Sequence, residues 1–160
     1  MITSPNLFSG VFDMVVTHAQ ALGIFEVVYP CEPKSAPPNG LSCAVYIGGP
    51  TQQGFSVVPA RSGLDVVAKR CVFTVRIHYP MLHEPVGEIE PTLLGATELL
   101  IDSYIGDFEL NGTAAFIDIL GMHGEGISGL PGYITIDNKI FRVMSVSLPV
   151  VLKAEVTESG

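Results

Sequence analysis

Tryptophan is absent from this chain, lysine and arginine together number only eight, and no apolar run approaches the length of a membrane span. Sixteen acids bring the net charge to −8. That balance disfavours a general nucleic-acid binder, because sequence-independent affinity comes from cations that displace the counterions around phosphates. A spanning helix needs about eighteen or more successive apolar residues. The N-terminus also lacks a basic stretch followed by an apolar run and a cleavage site, so a soluble product made in the cytoplasm is expected. The three cysteines, Cys31, Cys43 and Cys71, never stand as C-x-x-C, and reduced, buried thiols are the expectation. The four histidines, His18, His78, His83 and His123, are widely separated, with no carboxylate or cysteine at metal-ligand spacing, so no metal is expected.

What is present is a folding signal. Apolar residues make up 48% of the 160 and charged residues 15%, too apolar for a disordered chain and low in charge for a solitary monomer. A chain of this length suits one domain and buries roughly 70% of its unfolded surface. Faces left uncovered are expected to meet other subunits.

Ser4-Pro5 has the form of an N-cap followed by a proline at the first helical position, and Gly23 has the form of a stop. Between them Leu7, Val11, Met14, His18 and Leu22 recur at helical steps, widened by Phe8, Phe12 and Val15. A short strand over 24–29 follows, then a proline-rich stretch over 30–40 that reads as an exposed connection. Residues 41–47 read as a strand closed by Gly48-Gly49-Pro50. The strongest strand signal puts Cys71, Phe73, Val75, Ile77 and Tyr79 on one face and Arg70, Val72, Thr74, Arg76 and His78 on the other. A second helix starts near 88–91, carries the stripe Leu93, Ala96, Leu100 and Tyr104, and stops at Gly106. Asn111-Gly112 is a turn signal, and strands over 114–120, 133–136 and 140–152 follow, the last two joined as a hairpin at Asp137-Asn138-Lys139. The expected fold is α+β: a single domain over 1–160, with a mostly antiparallel mixed sheet of about six strands and two main helices on one face. Residues 48–63 and 121–132 are expected as loops, and 154–160 as a flexible tail.

Chemical motifs are few. Gly124-Glu125-Gly126-Ile127-Ser128-Gly129 fits G-x-G-x-x-G, but Pro131-Gly132 stands where the phosphate-binding helix should follow, so a flexible loop is expected. Asn111-Gly112-Thr113 fits a glycosylation acceptor, yet a plain turn is the expectation without a secretion signal. His83-Glu84 opens like H-E-x-x-H, but the second histidine is missing and Pro85 breaks the helix. No G-x-S-x-G elbow occurs. Arg76 admits two readings, a solvated strand face or a salt bridge across a subunit boundary. The loops hold apolar residues that a partner would cover, which makes Phe55, Val57, Val58 and Arg61 in the first, Met122, Ile127 and Leu130 in the second, and Arg76 the expected contact residues.

A series of landmarks in order, 72–77, 81–85, 89–91, 104–110, 132–137 and 141–144, with the opening helix through Gly23-Ile24-Phe25 and then Glu32-Pro33-Lys34, resembles the tail terminator proteins of long, non-contractile-tailed phages, especially those of actinobacteria. The stretch over 48–63 departs from that pattern, being longer and richer in glycine and proline. The resemblance implies a non-enzymatic virion protein at the head-proximal end of the tail. It would form a homohexameric ring, meet the tail tube protein on one face and the head–tail connector or neck proteins on the other, let DNA pass through its lumen, and use no cofactor or membrane. A connector or tube subunit, and a small enzyme whose active site is assembled from distant residues, are the competing readings.

Overall fold

The computed structural model describes residues 7–49, 54–59, 66–107, 109–110, 115–152 and 156–157. Helix α1 spans Leu7–Ala21 and α2 spans Ile89–Gly106. Gly23 takes a positive φ of 69° just past α1, and its N–H returns to the Gln20 carbonyl, the left-handed stop expected there. The Ser4-Pro5 cap and the Asn111-Gly112 turn lie outside the described residues.

Among the described residues one mixed sheet of eight strands, antiparallel except for one pair, is built along β4, Val66–Pro80. On one side of β4 run β2, Ser42–Ile47, and β3, Phe55–Pro59, end to end. The lone parallel partner, β1 at Val27–Tyr29, lies beyond β2. On the other side β4 pairs with β7, Lys139–Leu152, whose far side carries β5, Ala115–Ile117, and β6, Ser128–Ile136. The last strand, β8 at Val156–Thr157, extends the β7 ladder along β4. Its register has moved by two residues, since β4 goes back three positions from Arg70 to Val67 while the partner advances five from Val151 to Val156. The β6–β7 turn is the two-residue kind that demands left-handed backbone, and Asp137 and Asn138 supply φ of 54° and 65°.

The face of the sheet under the helices forms the core. Phe73, Val75 and Ile77 of β4 and Val146, Leu148 and Val150 of β7 pack against Val11, Val15 and Ala19 of α1 and Leu93, Leu100 and Tyr104 of α2. Each fully buried aliphatic side chain contributes about 1.5–3 kcal/mol. The Tyr104 hydroxyl donates to the Val15 carbonyl at 2.8 Å, so this polar atom carried into the helix interface is satisfied. The α2 stripe is buried as read, whereas α1 turns slightly, placing Val11, Val15 and Ala19 at the centre and leaving Met14, His18 and Leu22 half-buried.

The fold is the expected single-domain α+β arrangement, with three local corrections. The stretch 48–63 is interrupted by β3. Gly48 donates to the Val72 carbonyl and Val72 donates back to that of Gly54, so β2 and β3 follow one line, with the chain leaving and returning at the two glycines. The stretch 121–132 is half strand, because β6 starts at Ser128. Two residues of the expected flexible tail are strand β8. The proline-rich connection is exposed at most of its positions, as read, although Pro37 is buried and Glu32 reaches back to the sheet.

Candidate functional site

The face of β4 turned away from the helices carries Arg70, Val72, Thr74, Arg76 and His78, and all five are buried. A solvated face is therefore overturned for Arg76, which is 9% exposed. Its Nη1 donates to Glu32 Oε1 at 3.1 Å and its Nε to His78 Nε2 at 2.9 Å, while its guanidinium lies over the Tyr46 ring. Because His78 Nε2 accepts from arginine, the ring proton sits on Nδ1 and points to Ser42 Oγ at 3.3 Å. Burial, and after it the Arg76 charge, push His78 down to about 3. A neutral histidine with both nitrogens engaged, its proton already toward the serine, cannot take a proton from Ser42. This group is a buried polar brace.

A second brace holds the glycine-rich loop. Arg70 Nη2 donates to the Glu125 carbonyl at 2.6 Å, and its Nε lies 3.5 Å from Asp118 Oδ2. The Asp118 carboxylate in turn accepts the backbone N–H groups of Met122 and His123 at 2.8 and 3.1 Å. The glycines make this closure possible: a Cβ on Gly121 would stand 2.3 Å from the Gly124 carbonyl oxygen, and one on Gly126 2.3 Å from that of Ile119. Gly121 and Gly126, of which only the second belongs to the G-x-G-x-x-G, thus allow a tight turn around an arginine–aspartate pair where a flexible loop was expected.

The third cluster joins the C-terminal ends of both helices. His18 Nε2 donates to Asp107 Oδ2 at 2.7 Å, which leaves Nδ1, in the neutral ring, to accept from the Ser103 hydroxyl at 3.1 Å. Serine, histidine and aspartate are here connected in the order used by acyl-transfer enzymes. The electrostatics oppose that chemistry. Both helices end here, and helix C-termini present carbonyl oxygens and partial negative charge where an oxyanion would need N–H donors. The residues lie 85 and 89 positions apart, so no local motif signalled them.

Burial pushes the Cys43 thiol up to about 12 and that of Cys71 to about 11, so both remain protonated and unreactive, while Cys31 is exposed. His83 is bonded to Glu88 at 3.0 Å and to the Tyr79 hydroxyl.

Of the expected contact residues, Phe55, Val57, Met122 and Leu130 are exposed. Val58 is 7% exposed and packs on Ala68 and Val151, because successive strand residues point to opposite faces. Ile127 packs half-buried against the main core, and Arg76 pairs within its own chain. These three are turned into their own subunit. Arg61 lies outside the described residues. No protein-family model matches the chain, and no curated protein matches it.

Proposed function

We propose that the chain is a structural subunit of a closed ring that caps a phage tail tube, stops its growth, and offers its opposite face to the head-joining proteins. The observation that supports this reading is the distribution of exposed apolar side chains over separate regions of one subunit. Ile47, Phe55 and Val57 lie at the β3 end of the sheet, Leu94, Leu99 and Ile105 on the outside of α2, and Leu120 and Met122 on the braced loop. A ring closes through head-to-tail contacts, in which each subunit buries two unlike patches and keeps two unlike axial faces for different partners. A symmetric dimer would need only one patch. The resemblance in the order of landmarks supplies the tail-terminator identity of the ring, and the net charge of −8 per copy suits a lumen that DNA must pass without sticking.

Electron microscopy of the purified protein, alone and with tail tubes, tests the reading. Rings seated at one end of the tubes, with six subunits by mass, are expected. An open filament, or a monomer at the tube end, overturns it. The alternative of a small hydrolase is favoured by one observation, the Ser103–His18–Asp107 connection. Covalent capture of Ser103 by a fluorophosphonate would bring it forward.

A further inference from the structure

We infer that the contact closing this ring joins the β3 end of one copy's sheet to the outer side of helix α2 in the next copy. The inference rests on the ring reading and names its two surfaces.

The first surface comes from register. Ile47 pairs with Phe73, Phe55 with Cys71 and Val57 with Lys69. Directly paired residues share a side of the sheet, so Ile47, Phe55, Val57 and Lys69 all point to the side on which the helices lie. Phe73 and Cys71 belong to the covered core, but Ile47 is 68% exposed, Val57 is 63% exposed, and Lys69 is exposed. The helices therefore stop short of this end and leave an apolar patch that includes a lysine.

The second surface comes from helical spacing. With Ile89, Leu93, Ala96, Leu100 and Tyr104 turned inward, Leu94, Glu98, Asp102 and Ile105 form an outward ridge at three- and four-residue steps. Leu94 is 59% exposed, and Leu99 flanks the same acids on the other side.

Charge decides how the surfaces match. From 77 to 138 the chain has ten acids and not one lysine or arginine, and neither helix contains either cation. Two copies of the α2 surface would repel each other. Among the described residues the exposed cations are Lys34, Lys69 and Lys139, all outside the helices, and Lys69 alone is paired across the ladder with an exposed apolar residue of β3. An apolar patch with a lysine against an apolar ridge with two carboxylates is complementary in both respects. It is also unlike-to-unlike, the kind of contact that propagates round a ring.

The test uses the full chain with Cys31→Ser, at the highest concentration reached. Zero-length carbodiimide coupling of lysine to carboxylate is followed by mass spectrometry, with copies of two isotopic masses mixed so that links between copies are recognised. Self-association is also measured for Lys69→Glu, for Glu98→Lys with Asp102→Lys, and for all three changes together. Links between Lys69 and Glu98 or Asp102 of different copies are expected. Either set of reversals should weaken association about 10-fold or more, and the combination should recover most of the loss. Rings with links elsewhere, and no response to Lys69→Glu, overturn the contact and leave the ring reading standing. A chain that stays monomeric without links overturns the contact, while ring assembly on the tube is still decided by microscopy. All four positions are exposed, and unchanged unfolding of each variant confirms that the fold is intact.

Discussion

From 70 to 79 the two faces of strand β4 are both buried and differently built. Toward the helices, Phe73, Val75 and Ile77 are held by apolar packing. Away from them, Arg70, Thr74, Arg76 and His78 are held by partners chosen one at a time: Glu125, Gly48, Glu32 and Ser42. Packing on the first face is non-directional and tolerates exchange of one apolar residue for another of similar volume. On the second face, loss of a partner leaves a polar group in a poor solvent, so its contribution is conditional on geometry and protonation. Burial alone does not tell these regimes apart, but perturbation does.

The largest effect is expected on the apolar face. Replacing Ile77 or Leu100 by alanine should cost about 2–5 kcal/mol, through lost burial and the cavity that remains, since both side chains are fully enclosed. Urea unfolding measures this directly. If neither variant changes in midpoint, the assignment of these residues to the core is wrong.

The polar face should respond to acid where the apolar face does not. His78 titrates near 6.5 in an unfolded chain and at about 3 in the folded one. Between those values the unfolded state takes up a proton that the native state refuses, so stability rises with pH across the window. The contribution is complete above about pH 6.5 and is lost as the pH falls toward 3, by a few kcal/mol in all. Unfolding midpoints measured from pH 7 to 4 should therefore fall more steeply for the natural chain than for His78→Gln, which cannot titrate. Parallel profiles would remove His78 from the account.

Within the Arg76 brace the two partners should differ. Arg76→Met leaves His78 without its donor and removes the guanidinium from Tyr46, at a cost of about 1–3 kcal/mol. Glu32 is mostly exposed, and water can replace its arginine, so Glu32→Gln should cost under about 1 kcal/mol. Equal losses would mean that the pair acts through its charges. Unequal losses in the stated order place the contribution on the buried side.

Legibility in the sequence followed the same division. Period-2 alternation identified the apolar face of β4, and period-3.6 recurrence identified the inward stripe of α2, because both signals are local and repeat. The burial of Arg76 and His78 was not legible, since it depends on Glu32, 44 positions away, and on a proline-rich connection that returns to the sheet. Strand β3 was missed because it has five residues between Gly54 and outlying positions, begins with one exposed aromatic and ends in proline. The first half of β6 was missed because Gly129, Pro131 and Gly132 are poor strand formers, which pairing with β7 overrides. The G-x-G-x-x-G of 124–129 reads as a flexible loop because no helix follows it, and that reading does not reach the closure of 121–126 upon itself. The discriminating residue was Asp118, whose carboxylate fills the loop that a phosphate would otherwise enter.

A comparably small effect on stability separates a clamp from a reactive centre at the helix ends. Ser103 donates one hydrogen bond to His18 at a half-exposed position, and a single such bond contributes about 0.5–1.5 kcal/mol net. Ser103→Ala should therefore lower the melting temperature by about 1–6 °C. Asp107→Asn should do at least as much, because the 2.7 Å contact from His18 then lacks a charged acceptor. If the three residues only tie α1 to α2, the two variants should associate with their own kind and with tail tubes as the natural chain does, since neither touches the outward ridge of α2. A serine activated by His18 would behave otherwise. The natural chain would then react with a fluorophosphonate at Ser103, and Asp107→Asn would suppress that reaction far more than its small loss of stability explains.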